Sequence, residues 1–170
     1  MEANAQVLHY LSSCFLLLVP LLLWNVFLWS RLPPAFQKDI WDDIPKPLSF
    51  VESGVRIVVF LFSLLLFLEI RTILQVVGLV IYGIGVLVYF ASWILQIRQP
   101  ESRWSRGLLG FCAPAYTPIV WLVGIALIGQ SMLFDVWYEY WIYILLSVVF
   151  VGVHTLHSVL VYGKGIEKRR

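Results

Sequence analysis

The stretch 141–162 is apolar enough to cross a bilayer, yet it carries His154 and His157. On a helix of about 100° per residue, Tyr140, Tyr143, Ser147, His154, His157 and Ser158 fall in one stripe roughly 100° wide. Ile, Leu, Val and Phe fill most of the other faces. A membrane helix with a single polar stripe must turn it toward protein or water, so the remaining helices are expected around that stripe. Composition supports a lipid solvent. Of the 170 residues, 61% are hydrophobic and 13% charged, against about 45–50% and 25% in soluble domains. Mean hydropathy is +0.87, and a core of this size cannot hide so much apolar surface. The net charge of +2 gives no nucleic-acid footprint.

Five stretches approach the ~20 residues that a hydrocarbon core of about 30 Å requires. They are 7–29, 50–68, 73–97, 115–134 and 137–162. The expected fold is all-α: a polytopic integral membrane protein with one membrane domain over 1–170, a bundle of five transmembrane helices. Residues 55–97 are apolar almost throughout and would make one helix about 65 Å long. The polar cluster Glu69, Arg71 and Thr72 therefore predicts a tight hairpin. Leu66, just before it, is expected to face lipid.

Local signals refine these stretches. Pro20 predicts a kink in the first, and Trp24, Trp29 and Arg31 read as interfacial anchors at its end. Ser49 and Glu52 have the capping-box spacing that would open the second. Pro114 and Pro118 suit the first turn of the fourth, and Asp135 and Val136 predict a tight turn into the fifth. Residues 1–6 lack a basic n-region, so no cleavable signal peptide is expected. Cys14 and Cys112 should lie in opposite halves of the bilayer and stay free, because a disulfide needs Cα atoms within about 7 Å. Cys112, beside the basic loop, is a candidate reactive or palmitoylated thiol.

Orientation follows from charge. Of the 12 Lys and Arg residues, all but Arg71 fall in or beside the loops 30–49 and 98–114 and the tail 163–170. The positive-inside rule places these on the cytoplasmic side of a plasma (inner) membrane, with the N-terminus outside and the C-terminus cytoplasmic.

A second polar stripe runs along the third stretch: Gln75, Gly78, Tyr82, Gly85, Tyr89, Ser92 and Gln96. Its small residues permit close helix approach, and its tyrosines can hydrogen-bond across the gap. Depth then brings polar groups together. His154, His157, Tyr89, Ser92 and Gln96 lie in the cytoplasmic half, Glu52 and Arg56 enter from the same side at i, i+4, and Tyr116 joins from the fourth stretch. These residues are the expected wall of a cytoplasm-facing polar cavity. The histidines are expected to face Tyr89, Ser92 and Gln96, with Arg56 close enough to influence their protonation.

The i, i+3 histidine pair suits a transition metal, but a site needs a further ligand, so neither metal nor cofactor is expected. No phosphate-binding loop, dinucleotide fingerprint, zinc-protease pair or nucleophile elbow is present. The expected function is binding or transport of a small or lipophilic molecule through the cavity. The alternatives are a membrane-embedded enzyme acting on a lipid, and a structural or assembly subunit whose stripes only join helices. Expected partners are membrane lipids and a small-molecule or lipid ligand, with a homo-oligomer left open and no nucleic acid.

Overall fold

A computed structural model describes residues 12–33, 36 and 44–167. Expectations that rest on Lys38, Lys168, Arg169 and Arg170 lie outside these residues, as does the start of the first stretch. Among the described residues the regular structure is helical, without strands. A 3-10 turn, Cys14–Leu17, precedes α1 (Val19–Leu28), followed by α2 (Lys46–Leu65) and α3 (Ile73–Arg98). Three single turns, Arg103–Arg106, Leu108–Phe111 and Ala113–Tyr116, lead into α4 (Pro118–Ile128), and α5 (Tyr140–Glu167) completes the bundle.

Three helices, α2, α3 and α5, are long and apolar enough to cross a membrane. Only 17%, 22% and 33% of their most apolar windows are buried inside the molecule, so most of that surface faces outward. Such faces suit lipid, which demands apolar side chains outside and a backbone satisfied within each helix. The other two apolar helical stretches, Cys14–Leu28 and Ala113–Ile128, are shorter.

The first stretch is not one kinked helix. Ser13 caps the 3-10 turn, its Oγ accepting the Phe15 N–H at 3.1 Å, and α1 begins only at Val19. Pro20 thus sits in a first turn, where its missing N–H leaves no gap in the helical ladder. Before the turn the chain is extended and pairs with the connection between α2 and α3, which in turn pairs with the connection between α4 and α5. Ser13 bridges Phe67, and Leu66 bridges Met132, both antiparallel. The Cys14 N–H donates to Leu66 O at 2.9 Å, and the Leu68 N–H to Ser12 O at 2.8 Å. On the other edge, the Phe67 N–H donates to Ser131 O at 2.9 Å and the Leu133 N–H to Leu65 O at 2.8 Å. Connections in an apolar setting cannot leave amides unpaired cheaply, and here they satisfy one another.

This clasp replaces the tight hairpin. Leu66 lies beyond the end of α2 in extended backbone, φ −79° and ψ 132°, so the helical wheel that aimed it at lipid does not apply. It is fully buried. By the same logic α4 stops at Ile128 rather than running to 134, and α5 opens at Tyr140 rather than 137.

Thr72 opens α3 with a full capping box, its Oγ1 accepting the Gln75 N–H at 3.2 Å while Gln75 Oε1 accepts the Thr72 N–H at 3.0 Å. The capping box expected for α2 does not form. Pro45 occupies the cap position and Pro47 the first turn, so Ser49 and Glu52 lie inside the helix. The Trp24 ring stacks on Phe90 with centroids 4.1 Å apart.

The tightest packing joins α3 to α4. A Cβ on Gly85 would lie 2.5 Å from Trp121 N, and one on Gly124 2.5 Å from Tyr82 N, so the two backbones touch. The pairing is antiparallel, because Gly78 meets Leu127 while Gly85 meets Trp121. Elsewhere α5 runs antiparallel to α2, with Phe62 near Tyr143 and Glu52 near His154. α1 runs parallel to α3, since the Tyr82 hydroxyl donates to Leu17 O at 2.7 Å and the Tyr89 hydroxyl to Asn25 Oδ1 at 2.8 Å. The end opposite the clasp gathers Ile44, Phe111, Cys112 and Val161 into a second apolar cluster.

Candidate functional site

A cavity of about 760 Å³ lies between α1, α2, α3, α5 and the start of α4. Its walls are mostly apolar, with Leu18, Leu21, Phe60, Trp93, Trp121 and Phe150 prominent. The polar side chains in the wall are Asn25, Ser30, Arg56, Tyr89, His154 and Ser158. A volume of this size suits one drug-sized molecule.

Behind the wall sits Glu52, its side chain only 6% exposed. One carboxylate oxygen takes the Nδ1–H of His154 at 2.9 Å, and the other takes the Nδ1–H of His157. Arg56, one turn along α2, donates to the same carboxylate. An ionised carboxylate only accepts, so each imidazole carries its proton on Nδ1. The i, i+3 spacing that sets both rings on one face of α5 therefore matches the two oxygens of a single carboxylate on α2. In this way three donors compensate one buried charge, the condition under which such a group is tolerated.

Phe150 organises the cavity side of this cluster. Its ring stacks on His154 with centroids 5.6 Å apart and planes 9° apart, and Arg56 Cζ lies 5.9 Å from the Phe150 centroid. Arg56 remains 42% exposed. With Nδ1 engaged by Glu52, Nε2 is the His154 nitrogen left to serve a ligand.

The expected site residues therefore separate into groups. Arg56, Tyr89 and His154 line the cavity. Glu52 and His157 are buried beside it. Ser92 and Gln96 do not meet the histidines, which corrects the expected facing of the two stripes. Ser92 Oγ donates to Tyr89 O on its own helix at 2.7 Å, and Gln96 Nε2 donates to Gly110 O at 2.6 Å. The physical reason lies in the helix order: α4 and the turns before it occupy the face of α3 that carries these groups. Tyr116 is half-buried between the two apolar clusters. Arg56 was expected to lie close enough to influence the histidines' protonation; the charged group in direct contact with both rings is the carboxylate of Glu52.

Among the described residues, no three His, Cys, Asp or Glu side chains are grouped to hold a metal ion. Cys14 and Cys112 are both free and buried. Burial pushes the Cys112 thiol up to about 11, so little thiolate is present near neutrality and the reactive-thiol expectation lapses. Sequence reading missed the apolar walls, since one Leu or Trp in so apolar a chain gives no signal. It also missed the joint capture of both histidines by Glu52. That signal was present: Glu52 is the one carboxylate at their depth. No protein-family model, curated protein or solved structure matches the chain.

Proposed function

We propose that the protein is a five-span membrane protein that binds a small lipophilic molecule, and passes it between the bilayer and the cytoplasmic side, through this cavity. The observation that carries the reading is an apolar cavity of about 760 Å³ with Arg56 and His154 in its wall. A surface that merely joined helices would close on itself, as α3 and α4 do. In the proposed topology the stretches Cys14–Leu28 and Ala113–Ile128 also cross, the clasp lies outside, and the C-terminus is cytoplasmic. The alternation of chain direction supports this arrangement, because Arg31, Lys46, Arg98, Arg106 and Lys164 all sit at the helix ends away from the clasp. Cysteines placed at Gln99 and Asp135 in a Cys-free background should behave oppositely toward an impermeant thiol reagent in intact cells. Asp135→Cys labels and Gln99→Cys does not; the reverse pattern inverts the topology.

Binding itself is tested by native mass spectrometry of protein released from a mild detergent. A small molecule should remain bound to the wild-type chain and be lost from Leu21→Trp, which fills the cavity. A bare wild-type chain, or equal retention by the filled variant, would remove the reading. One observation favours a second reading, acid–base catalysis on a bound lipid: Glu52 orients His154 toward use of Nε2 beside a cationic side chain. Under that reading His154→Gln loses turnover while the ligand stays bound.

A further inference from the structure

We infer that the ligand is a single-chain amphiphile with an anionic head group, a phosphate or a carboxylate, held by Arg56 beside His154. This inference rests on the binding reading above and adds the chemistry of the ligand. The first argument is the sign of the wall. Among the described residues lining the cavity none is acidic, whereas the cationic Arg56 reaches it. The nearest carboxylate, Glu52, is withdrawn and already accepts from Arg56 and both histidines.

The second argument is which donors remain. Asn25 Nδ2 donates to Leu21 O at 2.9 Å while its Oδ1 accepts from Tyr89, and Ser158 Oγ donates to His154 O at 3.1 Å. These groups are engaged with the protein. The guanidinium of Arg56 uses one nitrogen on Glu52 and carries further N–H donors in a planar fork suited to carboxylate or phosphate. Phe150 lies against both the guanidinium and the imidazole and keeps them side by side. With its proton on Nδ1, His154 presents Nε2 as an acceptor, so the guanidinium is the group that holds the anion, and a phosphate monoester can in addition donate its P–OH to Nε2. The third argument is the rest of the space. Leu18, Leu21, Leu22 and Phe60 offer no polar atom along the remaining wall, and with the ring faces of Trp93 and Trp121 they suit a hydrocarbon tail. The volume is that of one drug-sized molecule, which favours one chain over two.

The test compares probes of one tail length on the full chain in a neutral detergent: an alkyl phosphate, a fatty acid, the matching alcohol, and inorganic phosphate alone. Binding is read by displacement of a radiolabelled fatty acid, and for that probe by direct saturation. At least one of the two anionic amphiphiles should bind about tenfold or more tightly than the alcohol, a difference of about 1.4 kcal/mol. Arg56→Gln should erase that preference, bringing the anionic amphiphiles to the affinity of the alcohol. The ranking of alkyl phosphate against fatty acid identifies the head group. Equal binding of alcohol and both acids by the wild-type protein overturns the anionic head while leaving the cavity reading intact. Inorganic phosphate binding as tightly as alkyl phosphate overturns the amphiphile, and failure of every probe removes both readings. The wild-type series decides the matter even if Arg56→Gln does not fold.

Discussion

Helices α3 and α5 carry polar stripes of the same width and period, yet the stripes have opposite fates. The stripe of α3 is largely an interface. Gly78 and Gly85 let α4 approach to backbone contact, and Gln75 and Gln96 donate to the carbonyls of Ile128 and Gly110 at 3.2 and 2.6 Å. The stripe of α5 turns toward α2, and its lower half borders open space. There, two imidazoles share a carboxylate from another helix, and one of them lines the cavity. Chemistry explains the difference. Amides and hydroxyls are satisfied by any backbone carbonyl within reach, so a stripe of them closes against a neighbour. Ionisable groups beneath an apolar surface need a charge partner in register. Bulky Phe150 and Arg56 at that place keep the helices from closing.

The largest effect expected from this comparison is on packing. Gly85→Leu should cost about 3 kcal/mol or more, because the new side chain meets the backbone of Trp121 rather than a movable side chain. Gly152→Leu on α5 is the control, since nothing lies within 4 Å of a Cβ there. Thermal unfolding in detergent reads both; similar midpoints would show that the α3 stripe is not an interface.

A smaller loss, about 1–3 kcal/mol, is expected for Glu52→Gln, whose amide nitrogen cannot accept from a histidine. The effect should be strongly non-additive with His157→Leu and additive with Gln96→Leu, which shares no partner with Glu52. Coupling of Glu52 to Gln96 would mean that the two stripes act as one network.

The smallest effects separate the roles of the α3 residues. Ser92→Ala should change stability by at most about 0.5 kcal/mol and leave ligand affinity unaltered. Tyr89→Phe removes the bond to Asn25 inside the cavity and should weaken ligand binding a few-fold, about 0.5–1 kcal/mol. Titration of the ligand against intrinsic tryptophan fluorescence, with Trp93 and Trp121 in the wall, measures both. A larger effect from Ser92 than from Tyr89 would misplace the cavity.

The sequence by itself determined whatever depends on helical period and solvent. The apolar class, α3 from Ile73, both polar stripes, the free cysteines at opposite ends and the candidacy of Glu52, Arg56, His154 and His157 all follow from composition and from angles around a helix. It did not determine what happens where helices stop. Leu66 is buried, Pro20 begins a helix and α4 ends at Ile128 because three connections pair their backbones, and that pairing joins residues far apart in the chain. Nor did it determine which helix meets which. A helical wheel states which groups share a face, but the neighbour on that face depends on the order of helices around the bundle. Only tertiary structure set α4 against α3 and α2 against α5. Tyr89 was thereby left in the cavity, Ser92 and Gln96 were turned to the backbone, and one carboxylate was brought between two histidines.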